Sequence, residues 1–162
     1  MSKYFISNRC LAVVLCVAIV FPVGLSPSAF AEERDAARPT SADLMILTQL
    51  RHYKLWFSQR TDNWKLANYE LDQFLTTIDR IAKLYPSASA VAQANVINEI
   101  TYPALSELRK AINDRNRSRF EAAFVKITDA CNQCHKAAGV GFIVVQVPTR
   151  SPFSNQGFGP NP

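Results

Sequence analysis

Two stretches of the chain repeat apolar residues at the spacing of a helix seam. Ala67, Leu71, Phe74, Ile78 and Ile81 recur at alternating intervals of four and three residues, and Phe120, Phe124, Ile127, Cys131 and Cys134 do the same. A 4-3 repeat turns one stripe of a helix inward against other helices. These stretches predict helices over 62–84 and 118–137. A first helix over 41–59 follows from Leu44, Leu47, Leu55 and Trp56, with Ser41 as its N-cap and Asp43 in its first turn, where the helix dipole favours an acid. Asp62-Asn63 breaks the first helix and caps the second, and Pro86-Ser87 stops the second.

A third helical region, 88–112, contains Pro103. A proline has no N–H to donate and crowds the carbonyl four residues back, so a kink or a division into two helices is expected there. Asn113 to Ser118 forms the next loop, and Gly139 and Gly141 end the last helix. No stretch alternates well enough to build a sheet, Phe142 to Val147 excepted. Four amphipathic helices on short turns predict an all-α fold, an antiparallel four-helix bundle over 41–137. A polar, flexible N-terminus over 32–40 precedes it and a tail over 138–162 follows. The tail's apolar run Phe142-Ile143-Val144-Val145 would be a liability in water, so it is expected to pack on the bundle or over whatever the bundle binds.

The start of the chain has a different pattern. Lys3 and Arg9 precede an almost uninterrupted apolar run from Leu11 to Val23, followed by Ala29-Phe30-Ala31 and the acidic Glu32-Glu33. That order is the one expected of a cleavable secretory signal, here over 1–31. The apolar core of 13 residues is short for a hydrocarbon layer of about 30 Å, so no stable membrane anchor is expected after cleavage. Cys16 follows Leu15 rather than a small residue, which argues against a lipoprotein signal.

Cleavage changes the cysteine count and the charge. Cys10 and Cys16 leave with the signal, and only Cys131 and Cys134 remain. Two cysteines three residues apart cannot staple distant elements, so a disulfide scaffold is excluded. Removing Lys3 and Arg9 lowers the formal charge from +5 to +3. The basic residues are scattered apart from Arg109, Lys110, Arg115, Arg117 and Arg119, which read as a solvated turn between helices. Nucleic-acid binding is not expected of an exported chain with so little excess charge.

Cys131-Asn132-Gln133-Cys134-His135 carries the chemistry. This is the attachment signature of a c-type haem. Cysteines at i and i+3 share a helix face and can add across the two vinyl groups of one porphyrin, and the next residue brings an imidazole to the iron. The other ring nitrogen of His135 is expected to donate to a carbonyl or similar acceptor. Three other readings of the cysteines are a dithiol redox couple, which would need a βαβ setting; a zinc site, for which His52 is the only further histidine; and a pair of structural cysteines.

The opposite axial position separates two functions. In an up-down bundle the start of the first helix lies beside the end of the last, which places Met45 near the level of His135 as a candidate second ligand. His52 lies two turns further along and about 10 Å away along the axis, so one haem position cannot serve both. With neither, the iron would be five-coordinate and open to small gases.

The motif, its place at the end of the last helix, and Met45 in the first helix together resemble the class II c-type cytochromes, the family of cytochrome c-prime, over residues 41–137. The resemblance implies one covalent haem c on Cys131, Cys134 and His135, and a periplasmic location. For the Met-ligated branch it implies electron exchange with periplasmic redox proteins; for the five-coordinate branch it implies binding of nitric oxide or carbon monoxide. It departs from the family in the 27 residues that follow His135. Nothing else resembles a catalytic constellation, so an enzyme is not expected. Trp56, Phe57 and Trp64 are candidates either for core packing or for a homodimer contact.

Overall fold

The computed structural model describes residues 38–85 and 95–160. The expected signal over 1–31, most of the stretch 32–40 and the beginning of the helix expected from 88 lie outside these residues. Among the described residues the chain is all-helical, without a β-strand. Helix α1 spans Ser41–Arg60, α2 Trp64–Leu84, α3 Tyr102–Asn113 and α4 Arg117–Ala137, with a π-helical turn over Val96–Thr101 leading into α3. None of these helices is long and apolar enough to cross a membrane.

The helix boundaries are set by side chains that take up orphaned backbone groups. Thr40, not Ser41, caps α1. Its hydroxyl oxygen accepts from the Asp43 N–H at 3.1 Å, and the Asp43 carboxylate accepts from the Thr40 N–H at 2.8 Å. This reciprocal box needs an acid three residues after the cap, which Thr40 has and Ser41 lacks. The same bonds hold the Asp43 carboxyl below its ordinary pKa. Asp62 takes a left-handed conformation at φ 59° to turn the chain, and Asn63 caps α2 by accepting from the Leu66 N–H at 3.0 Å. Helix α2 therefore begins at Trp64, directly after the Asp62-Asn63 pair expected to cap it. Asn116 caps α4 in the same way through the Arg119 N–H.

At Pro103 the expected division into two helices takes the form of a π-helical turn followed by α3. The proline ring is incompatible with an α-helical carbonyl four residues back, and the backbone ahead of it widens into the π turn, in which the Tyr102 N–H bonds to the Ile97 carbonyl. Pro103 then sits in the first turn of α3, where its missing N–H costs little.

The 4-3 seams form the core. Ala67, Leu71 and Phe74 of α2 and Phe120, Phe124 and Ile127 of α4 are fully buried, joined by Leu55 of α1 and Leu105 and Leu108 of α3, each no more than 2% exposed. Each large side chain so buried contributes on the order of 2 kcal/mol. Leu47 departs from expectation: it is 39% exposed, while Leu44 beside it is buried.

Contacts between α1 and α4 descend along α4 as they climb α1. His52 meets Thr128 and Phe124, Trp56 meets Phe124 and Phe120, and Arg60 reaches Glu121 at 3.5 Å. Trp64 packs on Phe120 and Phe57 on Phe158, so the three aromatics considered for a dimer contact are each engaged within the chain. The basic turn is largely paired: Arg109 with Asn68 and Asp72, Arg117 with Asp62, Arg119 with Asp114.

Residues 138–160 contain no helix or strand but are anchored along their length. Val147 packs against the core, Pro148 is buried, and Phe158 is only 8% exposed. The Phe158 carbonyl accepts from Thr61 at 2.7 Å and from Asn63 at 3.0 Å, at the turn between α1 and α2. The apolar run near the start of the tail carries its side chains outward. Phe142, Ile143 and Val144 are 81%, 50% and 64% exposed. That run is fastened through its backbone, not by burying its side chains.

Candidate functional site

Cys131, Asn132, Gln133, Cys134 and His135 occupy the last two turns of α4. The helix then closes with two capping bonds that use the carbonyls of the motif's own turn: Gly139 N–H to Lys136 at 3.1 Å and Val140 N–H to His135 at 2.9 Å. This closure requires a left-handed residue just past the helix, and Gly139 supplies it at φ 76°.

Both cysteines are half-buried free thiols. Cys131 packs against the core cluster. Burial pushes its thiol up to about 12, with the neighbouring Cys134 thiolate adding to the shift, and burial raises Cys134 as well. A dithiol redox couple works through a thiolate of lowered pKa, typically at a helix N-terminus. These cysteines lie at the opposite end of their helix and are protonated at neutral pH. Among the described residues no three His, Cys, Asp or Glu side chains come together to hold a metal ion.

The imidazole of His135 is fixed by the tail. Its Nδ1 lies 2.7 Å from the carbonyl oxygen of Ile143. A carbonyl can only accept, so Nδ1 carries a proton and donates it, which in a neutral ring leaves Nε2 with its lone pair. That is the tautomer a metal-ligating histidine needs, and the partner is of the usual outer-shell kind. The sequence calls for such an acceptor; the structure identifies it.

His52 is differently placed. It is 2% exposed, stacks on Phe124 at 4.4 Å, and its Nε2 lies 2.9 Å from the Thr128 hydroxyl oxygen. The Thr128 hydroxyl itself donates to the Phe124 carbonyl at 2.9 Å, so the histidine is the donor in the pair. Burial lowers its pKa to about 4. His52 is a satisfied interior histidine whose Nε2 is already taken. Met45 is half-buried in the second turn of α1, between buried Leu44 and exposed Ile46.

One residue of the site escaped the sequence reading. Asn132 is more than a spacer between the cysteines: its side chain accepts from the Val145 N–H at 2.8 Å and donates to the Val145 carbonyl at 2.9 Å. The available signal was the pair Gly139 and Gly141, which reverses the chain and obliges the residues after it to run back past positions 135 and 132.

The residues fit a covalent haem: two protonated, unbridged thiols at i and i+3 on one helix, followed by an imidazole held in the ligating tautomer. Comparison with known proteins adds no relative, since neither family models, nor curated proteins, nor solved structures match this chain.

Proposed function

We propose that the chain is an exported, monohaem c-type cytochrome that carries single electrons in the periplasm, built like the class II cytochromes as an antiparallel four-helix bundle. The observation that carries this reading is the 2.7 Å bond from His135 Nδ1 to the Ile143 carbonyl, beside two free thiols at the motif spacing. Haem c, held by thioethers to Cys131 and Cys134 and through its iron by His135, supplies a one-electron ferric–ferrous couple. The chain's own part is to hold the imidazole in one tautomer and one rotation, and to surround the site with a rigid, low-dielectric bundle.

The antiparallel arrangement is supported by the α1–α4 contacts, in which partners of residues 52, 56 and 60 fall at 128, 124 and 121. It also supports Met45 as the second ligand. His52 is level with Thr128. Seven residues back along α1 is Met45, and seven forward along α4 is His135; each step of two turns covers about 10 Å. Met45 and His135 thus share a level, and a thioether there would raise the potential.

Producing the full chain in a host with cytochrome maturation machinery tests the reading. The expected product lacks residues 1–31, gains the mass of one haem, and shows a low-spin spectrum. Met45→Ala is expected to give a large fall in potential or a change to high spin, and an unchanged spectrum would remove Met45 from the iron. A high-spin wild-type spectrum that shifts with carbon monoxide would replace electron carriage with gas binding. A mature chain without added tetrapyrrole would end the proposal.

A further inference from the structure

The role of Asn132 follows from how the start of the tail is held. Its amide makes both bonds a backbone residue of a β-ladder would make, to the N–H and the carbonyl of Val145. Two residues upstream, the Ile143 carbonyl takes the His135 Nδ1 proton. Between these points and the helix end the chain makes a tight hook. Gly139 reverses it at φ 76°, and Ile143 N–H closes the turn onto the Val140 carbonyl at 2.9 Å. Gly141 lies so near α4 that a Cβ there would meet Lys136 Cγ at 3.1 Å and Lys136 Cα at 3.5 Å.

Apolar burial does not hold this hook in place, because Phe142, Ile143 and Val144 are exposed. Between the turn and Val147, where the chain packs on the core, its position rests on polar bonds, two of them to Asn132. We propose that Asn132 is a positioning residue for the iron-ligating imidazole. By clamping Val145 it keeps the Ile143 carbonyl against Nδ1–H, and so fixes the tautomer and rotation of the His135 ring. This inference rests on the haem reading for its purpose, but the clamp itself belongs to the polypeptide.

Releasing two ordinary hydrogen bonds shifts an opening equilibrium by about thirtyfold. In the haem-free mature chain, Asn132→Ala should therefore speed exchange of the Val145 amide by about that factor. The 15N shifts of the His135 ring should move from a pure Nδ1–H tautomer to a mixture of both. Asn132→Asp, which can accept from Val145 but offers nothing to its carbonyl, should fall between. In the haem-loaded protein the same substitutions should alter the paramagnetic shifts of the ferric haem methyls, which report the orientation of the axial ring. Faster Val145 exchange with an unchanged His135 tautomer would reduce Asn132 to a structural tether and overturn the proposal, as would unchanged exchange. If the wild-type chain takes up no haem, the functional reading fails separately, while the tautomer measurement still decides whether Asn132 positions the ring.

Discussion

Two histidines of nearly identical sequence prominence have opposite physical fates, and the difference lies in what surrounds each ring. His135 is half-buried at a helix end with a carbonyl on one nitrogen. His52 is enclosed between Phe124 and Thr128, where burial disfavours its charged form and lowers its pKa from 6.5 to about 4. Between those values the unfolded chain binds a proton that the folded chain does not. Folding stability therefore rises with pH through this window and is lost as pH falls from about 6.5 towards 4, by up to about 1.4 kcal/mol per pH unit. Above pH 6.5 the group contributes no slope. Denaturant unfolding followed across that range should show the slope in wild type, and His52→Gln, which keeps a donor for Thr128, should flatten it. Equal slopes in the two proteins would mean that other groups control acid sensitivity.

At the scale of the elements, what is legible in sequence is what repeats. The 4-3 seams of α2 and α4 identify their buried faces because helical spacing leaves few other ways to hide five apolar residues. Ends are less legible, since they depend on single polar side chains. Ser41 reads as the cap in the sequence, until Asp43 is seen to complete a box with Thr40 one residue earlier. The widened turn before α3 is a third kind of case: Pro103 announces a disturbance, and the backbone takes it up as a π turn with Ile97 and Thr101 buried. Asn63 shows one side chain serving two elements. It caps α2 through Leu66 and donates to the carbonyls of Phe158 at 3.0 Å and Gly159 at 3.1 Å. Losing a cap costs about 1 kcal/mol, and losing the tail bonds about 1 kcal/mol more, since Gly159 is exposed and its carbonyl can turn to water. Asn63→Ala should accordingly lower the unfolding free energy by about 2 kcal/mol in thermal or denaturant melts, and a loss confined to the cap value would show that the tail bonds contribute nothing.

At the scale of the whole molecule, the tail is the part the sequence describes least, because it has no periodicity and its anchors are scattered: Ile143 and Val145 at the Cys131–His135 motif, Val147 and Pro148 on the bundle, Phe158 at the α1–α2 turn. These anchors divide it into two parts with separate duties. The first part, up to Val145, bonds to His135 and Asn132. The second, from about residue 151, buries Phe158 against Phe57 and Phe153 and bonds to Thr61 and Asn63. A chain ending at Arg150 should therefore lose about 3 kcal/mol, from burial of one aromatic ring and two or three hydrogen bonds, yet attach haem in the same yield by mass. The two losses at Asn63 can then be separated by a double-mutant cycle. In the shortened chain Asn63→Ala should cost only the cap, about 1 kcal/mol, because its tail partners are already gone. Additive losses would mean that Asn63 and the tail stabilise the fold independently, and a fall in haem attachment on truncation would mean that the two parts of the tail act as one.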